Sequence, residues 1–375
     1  MLLSCMFSVA KKQLFRATGL FVLLTLLTDM SFAACPLIIA HRGASGSRPE
    51  HTLAAYELAI AQGADSIEVD IVATRDGALI ARHENELSET TDIATKPEFV
   101  PRRTIKLVDG VRRSGWFTED FTLNELRQLR AIERMRTMRP DNQVFDGQFI
   151  IPSLQDVIDL VRRESHEGRE IGLYLETKHP TYFHTLGLPL ENALVEILHR
   201  NGYRTADDPV YLESFEPVSL RRLKELTSLR LVQLIGAPEE RPYDLVVKND
   251  LRTNLDLPTP AGLGEIAEYA AALGVTKEWM YPSGKSLSQN TTVLIREAHE
   301  RGLHVHVWTF RNENYFLPAD LRLGDPNDLE FPRRWGNALR EYQWYFRLGI
   351  DAVFSDFPAT AQQSLSEYRL RQSCP

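Results

Sequence analysis

The sequence predicts an α/β protein built as a (β/α)8 TIM-type barrel, on three observations. Apolar strand-like runs mostly alternate with helical patterns, and counting residues 66–83 as one hairpin unit gives eight βα units. Histidines and carboxylates collect in or at the ends of those runs, where such a barrel carries its chemistry. No linker divides the chain, so residues 34–375 are expected to form one domain.

Residues 1–33 stand outside this domain. Lys11, Lys12 and Arg16 precede the apolar stretch "GLFVLLTLLT" (19–28), and "SFA" (31–33) offers small residues at the cleavage subsites. This reads as a removable signal peptide, so the protein is expected to be exported, periplasmic or secreted. The apolar stretch is too short to span as a mature helix, and no later segment is apolar enough to cross a bilayer. Cys35 follows the cleavage region directly, which leaves lipoprotein processing open. The other reading pairs Cys35 with Cys374, the two cysteines left after cleavage, as a disulfide. Both would lie at the bottom of the barrel, one before the first strand and one after the last helix.

The first strand, "LIIA" (37–40), runs into "HRGASGSRPEHT", and a helical pattern covers 50–62. "SIEVDIVAT" (66–74) alternates: Ile67, Val69 and Ile71 face one side, Glu68 and Asp70 the other. Asp76-Gly77 signals a hairpin to "ALIARH" (78–83). A two-residue turn there would set Asp70 opposite His83. An insertion of about 84–152 follows, with one helical pattern at 122–132. Further strands are expected at 172–178, 210–216, 230–236, 277–281, 303–310 and 351–357, and helices at 153–165, 190–201, 217–227, 260–273, 290–301, 336–347 and 358–371. A second insertion, 311–335, follows "WTF". Long loops at strand ends in a compact domain are usually functional.

Two adjacent carboxylates facing a barrel axis repel each other and lose hydration, a cost that a hard divalent cation removes. "GLYLETK" (172–178) repeats the pattern, with Tyr174, Glu176 and Lys178 on one face. Glu68, Asp70 and Glu176 are therefore candidate metal ligands, with Lys178 a cation beside them. His41 and His83 end strands and suit proton transfer near neutral pH. His304 and His306 read as a hydrogen-bonded interior pair low in the barrel. His51 and His179, among others, fall in helices or loops and need no special role. The formal charge is −8, and the signal contributes a net +2, so the mature chain is more acidic still. Nucleic acid is not an expected partner. An anionic substrate then needs a local cation.

"AHRGASGSRPEHT", "GADSIEVDIVATRDGALIARHENEL", "YLETK", "VHVWTF" and "GIDAVFSDFP" together resemble the glycerophosphodiester phosphodiesterase family, especially its exported bacterial type. The resemblance implies a barrel of the phospholipase-C-like phosphodiesterase superfamily, one divalent cation (Ca²⁺ or Mg²⁺), and hydrolysis of glycerophosphodiesters to sn-glycerol 3-phosphate and an alcohol. It places the catalytic pair on His41 and His83, the metal carboxylates on Glu68, Asp70 and Glu176, and a phosphate-side arginine on Arg42. Lys178 would assist Arg42, and Glu50 would support it. The family commonly has Asp where this chain has Glu84, and often Asn in place of His51. Tyr174, Phe215, Trp308 and Phe310 are candidate walls of the substrate pocket. Two alternatives stay open: activity on intact lipid, with an apolar rim from Phe99, Trp116 and Phe117 or from Phe316 and Leu317, and an exported binding protein that kept the fold and lost catalysis. Oligomeric state and headgroup choice are not legible.

Overall fold

The structure is a computed structural model that describes residues 35–280 and 291–372. In chain order its strands are β1 (Leu37–Ala40), β2 (Ser66–Ala73), β3 (Leu79–Ala81), β4 (Thr104–Val108), β5 (Val111–Gly115), β6 (Gly172–Thr177), β7 (Val210–Ser214), β8 (Arg230–Ile235), β9 (Ala272–Thr276), β10 (His304–Phe310) and β11 (Ala352–Ser355). Eight of these pair in parallel in the order β1-β2-β6-β7-β8-β9-β10-β11, and β11 closes on β1. The result is the expected (β/α)8 barrel. Residues 1–34, which include the stretch read as a signal peptide, and Cys374 lie outside the described residues.

Strand parity builds the two layers of the core. Ile67, Val69, Ile71, Leu173 and Leu175 face outward under the helices. Ile39, Tyr174, Tyr211, Val232, Leu234 and Phe354 fill the interior. Each such side chain contributes about 1.5–3 kcal/mol of burial. The helix Leu154–Glu164 shows how the outer layer is specified. Ser153 caps its N-terminus in a reciprocal box with Asp156, and Leu154, Val157, Ile158 and Val161 form its buried stripe.

Three expectations need correction. The strand predicted at 277–281 is β9, at 272–276, and Lys277–Met280 is a helical turn. "ALGVT" lacks most of the usual strand signature, because its interior position packs a glycine closely against Leu234. A Cβ on Gly274 would stand 2.4 Å from Leu234 Cδ2. Second, the helix predicted to begin at residue 50 spans Leu53–Ala61, capped by Thr52, so Glu50 and His51 are loop residues. Third, β2 and β3 pair Ile71 with Ala81 and Ala73 with Leu79. The turn therefore holds three residues, ending on Gly77 in the left-handed region (φ 77°). Asp70 stands opposite Arg82, whose N–H donates to the Asp70 carbonyl. His83 lies one residue further on. β3 pairs with the end of β2 beyond the residues that pair with β1, so the eight-strand ring stays parallel.

The first insertion contains a hairpin that the sequence reading missed. β4 and β5 pair through Asp109 (φ 47°) and Gly110 (φ 79°), a two-residue turn with both central residues left-handed.

Candidate active site

The strand ends converge on a cavity of about 150 Å³ lined by His41, Arg42, Glu68, His83, Glu176, Lys178, Glu213, Phe215, Leu234, Trp308 and Phe354. Two larger pockets adjoin it. One, of about 510 Å³, shares His41, Arg42 and Trp308. The other, of about 400 Å³, shares Glu176, Lys178 and Phe215.

His41 is carried by the end of β1. Its Nδ1 lies 2.6 Å from Asp356 Oδ1, just past β11. A carboxylate only accepts, so Nδ1 carries the proton and Nε2 is left with a lone pair. Arg139 Nη2 and Arg311 Nε hold the other Asp356 oxygen at 2.6 and 2.8 Å. Burial would raise the Asp356 carboxyl, but these two guanidiniums and His41 hold it well below the usual range. Burial, with the Arg42 charge beside it, lowers His41 to about 4.

His83 stands across the cavity. Its Nε2 is 3.4 Å from Lys178 Nζ, and its Nδ1 is 3.1 Å from Glu84 Oε1, a charge contact without hydrogen-bond alignment. Burial and the Arg42 and Lys178 charges lower it to about 3. Each histidine is thus backed by a carboxylate, and each carboxylate is gripped by cations that include an arginine from the first insertion: Arg139 for Asp356, Arg113 for Glu84.

The backbone of Arg42 is left-handed (φ 60°), and its N–H donates to Glu68 Oε2 at 2.6 Å. Its guanidinium contacts Asp70 at 3.2 Å and Glu50 at 3.4 Å, and Glu50 also takes Arg134 at 3.0 Å. Lys178 Nζ lies 2.8 Å from Glu176 and 3.8 Å from Asp70.

Glu68, Asp70 and Glu176 present oxygens within 4.8 Å of one another. Glu213 joins them, fully buried, with Oε2 lacking any hydrogen-bond partner among the described residues. Burial and mutual repulsion push Glu68 and Glu213 up, and Glu176 up to about 8. Asp70 is held low, against its burial, by Lys178 and Arg42. Four buried carboxylates thus meet two cations, and the missing positive charge matches a divalent ion with oxygen ligands. The donor set fits a metal site.

Two wall residues were misplaced. Tyr174 points into the barrel, but one layer too deep: it stacks on Tyr211 at 4.5 Å and is fully buried. Phe310 lies outside the barrel, stacked on Tyr342 at 4.6 Å. A register shift between Val307 and Phe310 reverses the strand's alternation there. Phe215 and Trp308 do line the cavity, edge to face with centroids 5.7 Å apart. The interior histidine pair also differs from expectation. His304 is exposed, while His306 is buried with both ring nitrogens lacking a hydrogen-bond partner among the described residues.

Several site residues escaped the sequence reading. His51, also left-handed (φ 53°), bridges Asp70 Oδ2 and Tyr56 Oη, each at 2.8 Å. Asp70 only accepts, so His51 donates from Nε2 and accepts the Tyr56 hydroxyl proton at Nδ1. His179 contacts Glu84 and Asp109. Glu213 had a readable signal: "YLES" (211–214) repeats "YLET" (174–177), and β6 and β7 pair Tyr174 with Tyr211 and Glu176 with Glu213. Asp356 had only its place at a strand end.

A (β/α)8 barrel whose strand ends gather paired histidines, two cations and a carboxylate cluster defines a hydrolase-type active site. The sequence profile described as the Glycerophosphoryl diester phosphodiesterase family matches residues 41–360. A glycerophosphodiester phosphodiesterase of Arabidopsis thaliana is 32% identical over 335 residues, covering 86% of this chain and 84% of its own. One of Haemophilus influenzae is 30% identical over 349 residues, covering 88% and 89%. The crystal structure of a putative glycerophosphoryl diester phosphodiesterase of Silicibacter pomeroyi superposes with a TM-score of 0.63 at 20% identity, covering 89% of this chain and 94% of its own, a likeness of fold. The chain belongs to the glycerophosphoryl diester phosphodiesterase family. It is a phosphoric diester hydrolase that acts on glycerophosphodiesters.

Proposed function

We propose that the protein hydrolyses glycerophosphodiesters to sn-glycerol 3-phosphate and an alcohol by acid–base catalysis between His41 and His83 in a metal-dependent site. One observation carries this reading: both histidines face the same 150 Å³ cavity, whose wall includes Arg42, Lys178, Glu68 and Glu176. Arg42 and Lys178 meet the phosphoryl oxygens as charge develops. Glu68, Asp70 and Glu176 would hold one divalent cation, with Glu213 beside them. When bound, such an ion neutralises charge on the phosphoryl group. Each histidine, protonated at Nδ1, presents Nε2 to the reacting centre. One ring, neutral, accepts the proton of the attacking hydroxyl at Nε2; the other must carry a second proton on Nε2 in the reactive form and gives it to the departing alkoxide, and the two roles reverse when water opens the cyclic phosphate. Attack by the substrate's own glycerol hydroxyl, through a cyclic phosphate that water then opens, gains the advantage of proximity. Phe215 and Trp308 wall the glycerol or the headgroup.

Support for a water-soluble substrate comes from the rim. Phe99, Trp116, Phe117 and Leu317 are buried and Phe316 is half-buried, so of these five residues only Phe316 offers part of its ring to a bilayer. No helix among the described residues is long and apolar enough to cross a membrane. The test is a metal-free preparation assayed with a panel of glycerophosphodiesters and added Ca²⁺ or Mg²⁺, reading glycerol 3-phosphate release, with liposomes in parallel. Turnover of intact lipid but not of glycerophosphodiesters would refute the reading.

We also infer export, supported by the pattern of residues 11–33, and a Cys35–Cys374 bridge in the mature chain. N-terminal sequencing and thiol counting test both. Two free thiols on an unacylated chain exclude the bridge, and an acylated Cys35 replaces it with lipoprotein anchoring.

A further inference from the structure

The inserted hairpin β4–β5 reaches back to the barrel mouth through Asp109 and Arg113. Its turn residue Asp109 sets Oδ2 2.5 Å from His179 Nδ1. The other nitrogen of that ring, Nε2, lies 3.4 Å from Glu84 Oε2, a charge contact without hydrogen-bond alignment. Arg113, on β5 of the same hairpin, lies 3.1 Å from the same oxygen. Two cationic groups therefore converge on Oε2 of Glu84, which turns Oε1 toward His83 Nδ1.

The backbone supports a dedicated role. His179 is left-handed (φ 52°), a conformation that side-chain-bearing residues adopt at a cost. It directly follows Lys178, so the strained turn delivers the cation to the cavity and the ring to Glu84 in one step. Burial would lower the His179 ring, but Asp109 and Glu84 raise it to about 9, so it is charged at neutral pH.

We propose that Asp109 and His179 are positioning residues for His83: by fixing the Glu84 carboxylate, they keep the proton on His83 Nδ1 and stabilise the imidazolium formed when Nε2 takes up a proton. The proton stays on the His83 ring, and Glu84 remains ionised throughout. The hairpin is then part of the catalytic apparatus rather than a surface addition. This rests on the reading of His83 as an acid–base group.

The competing role is plain docking, in which the Asp109–His179 contact only pins the hairpin to the barrel. A double-mutant cycle separates the two. His179→Ala and Asp109→Asn are assayed in the full-length protein, alone and on a His83→Ala background. Glycerol 3-phosphate release is followed across pH, and melting temperatures are recorded. Positioning predicts a kcat lower by about 10-fold for either variant with KM within about two-fold, and little further loss when His83 is already gone. It also predicts a shifted acidic limb of the kcat profile, which docking would leave in place. The same fractional loss in both backgrounds, or a loss confined to KM, overturns the proposal. Should His179→Ala fold poorly, the near-isosteric Asp109→Asn carries the cycle alone. If His83→Ala itself keeps wild-type kcat, the acid–base reading of His83 fails first and takes the proposal with it.

Discussion

The Nδ1 of His41 and the Oδ1 of Asp356 lie 2.6 Å apart, although 315 residues separate them in the chain. They meet because β1 pairs with β11 and both residues directly follow their strands.

This contact gives the first prediction. His41→Ala should lower kcat by roughly 10²- to 10⁴-fold, the usual worth of positioned acid–base catalysis. Asp356→Asn keeps the shape but removes the charge, and should lower kcat by a smaller factor. Steady-state kinetics with a glycerophosphodiester check both. Near-normal kcat in the two variants would end the assignment of His41.

Metal removal is the second. Chelation should abolish turnover and Ca²⁺ or Mg²⁺ should restore it. Glu68→Gln should raise the cation concentration needed for half-activation. Full turnover in excess chelator, with no metal by elemental analysis, is the contrary result.

Glu216 provides a stability prediction. Burial, with Asp244 and Asp109 nearby, raises it to about 8, partly opposed by its bond from Thr181. A carboxyl whose pKa is raised on folding holds its proton more tightly in the folded state. Its contribution is therefore full below the unfolded pKa of about 4.5 and is lost as pH climbs toward 8. Denaturant melts between pH 5 and pH 8 should show Glu216→Gln losing less stability than wild type, by up to roughly 1.4 kcal/mol per pH unit. Parallel slopes would contradict this.

Two glycines should respond unequally to alanine. Gly77 (φ 77°) has open space around its missing Cβ, so Gly77→Ala carries only backbone strain, about 1 kcal/mol. Gly43 (φ 84°) would place a Cβ 2.7 Å from the Ala55 backbone. Gly43→Ala should cost roughly 2 kcal/mol or more, and should loosen the Arg42 N–H from Glu68. Equal melting temperatures for the two variants would refute this reading.

The architecture was legible because barrel strands advertise themselves through parity. Glu68 and Asp70 alternate with isoleucine and valine, and that alternation alone aims them inward. Depth along the axis has no such signature, which is why Tyr174 was placed in the pocket and lies beneath it. A bulge reverses parity without leaving a mark in the residue types, which misplaced Phe310. β9 was obscured because the glycine packed against Leu234 looks like the end of a helix. The charges behind the histidines were hardest to foresee. Asp356, Arg139 and Arg311 are ordinary residues until the fold brings three distant loops together. His51 and His179 sit in left-handed loop positions that no periodicity announces.

The closure of β11 against β1 also has a consequence for biosynthesis. His41 emerges early from the ribosome, whereas Asp356, which holds its ring, is among the last residues made. Until the final strand docks, the His41 ring has neither its carboxylate nor its closed wall. A chain that lacks the final strand therefore lacks the His41–Asp356 contact on which the proposed acid–base role of His41 rests.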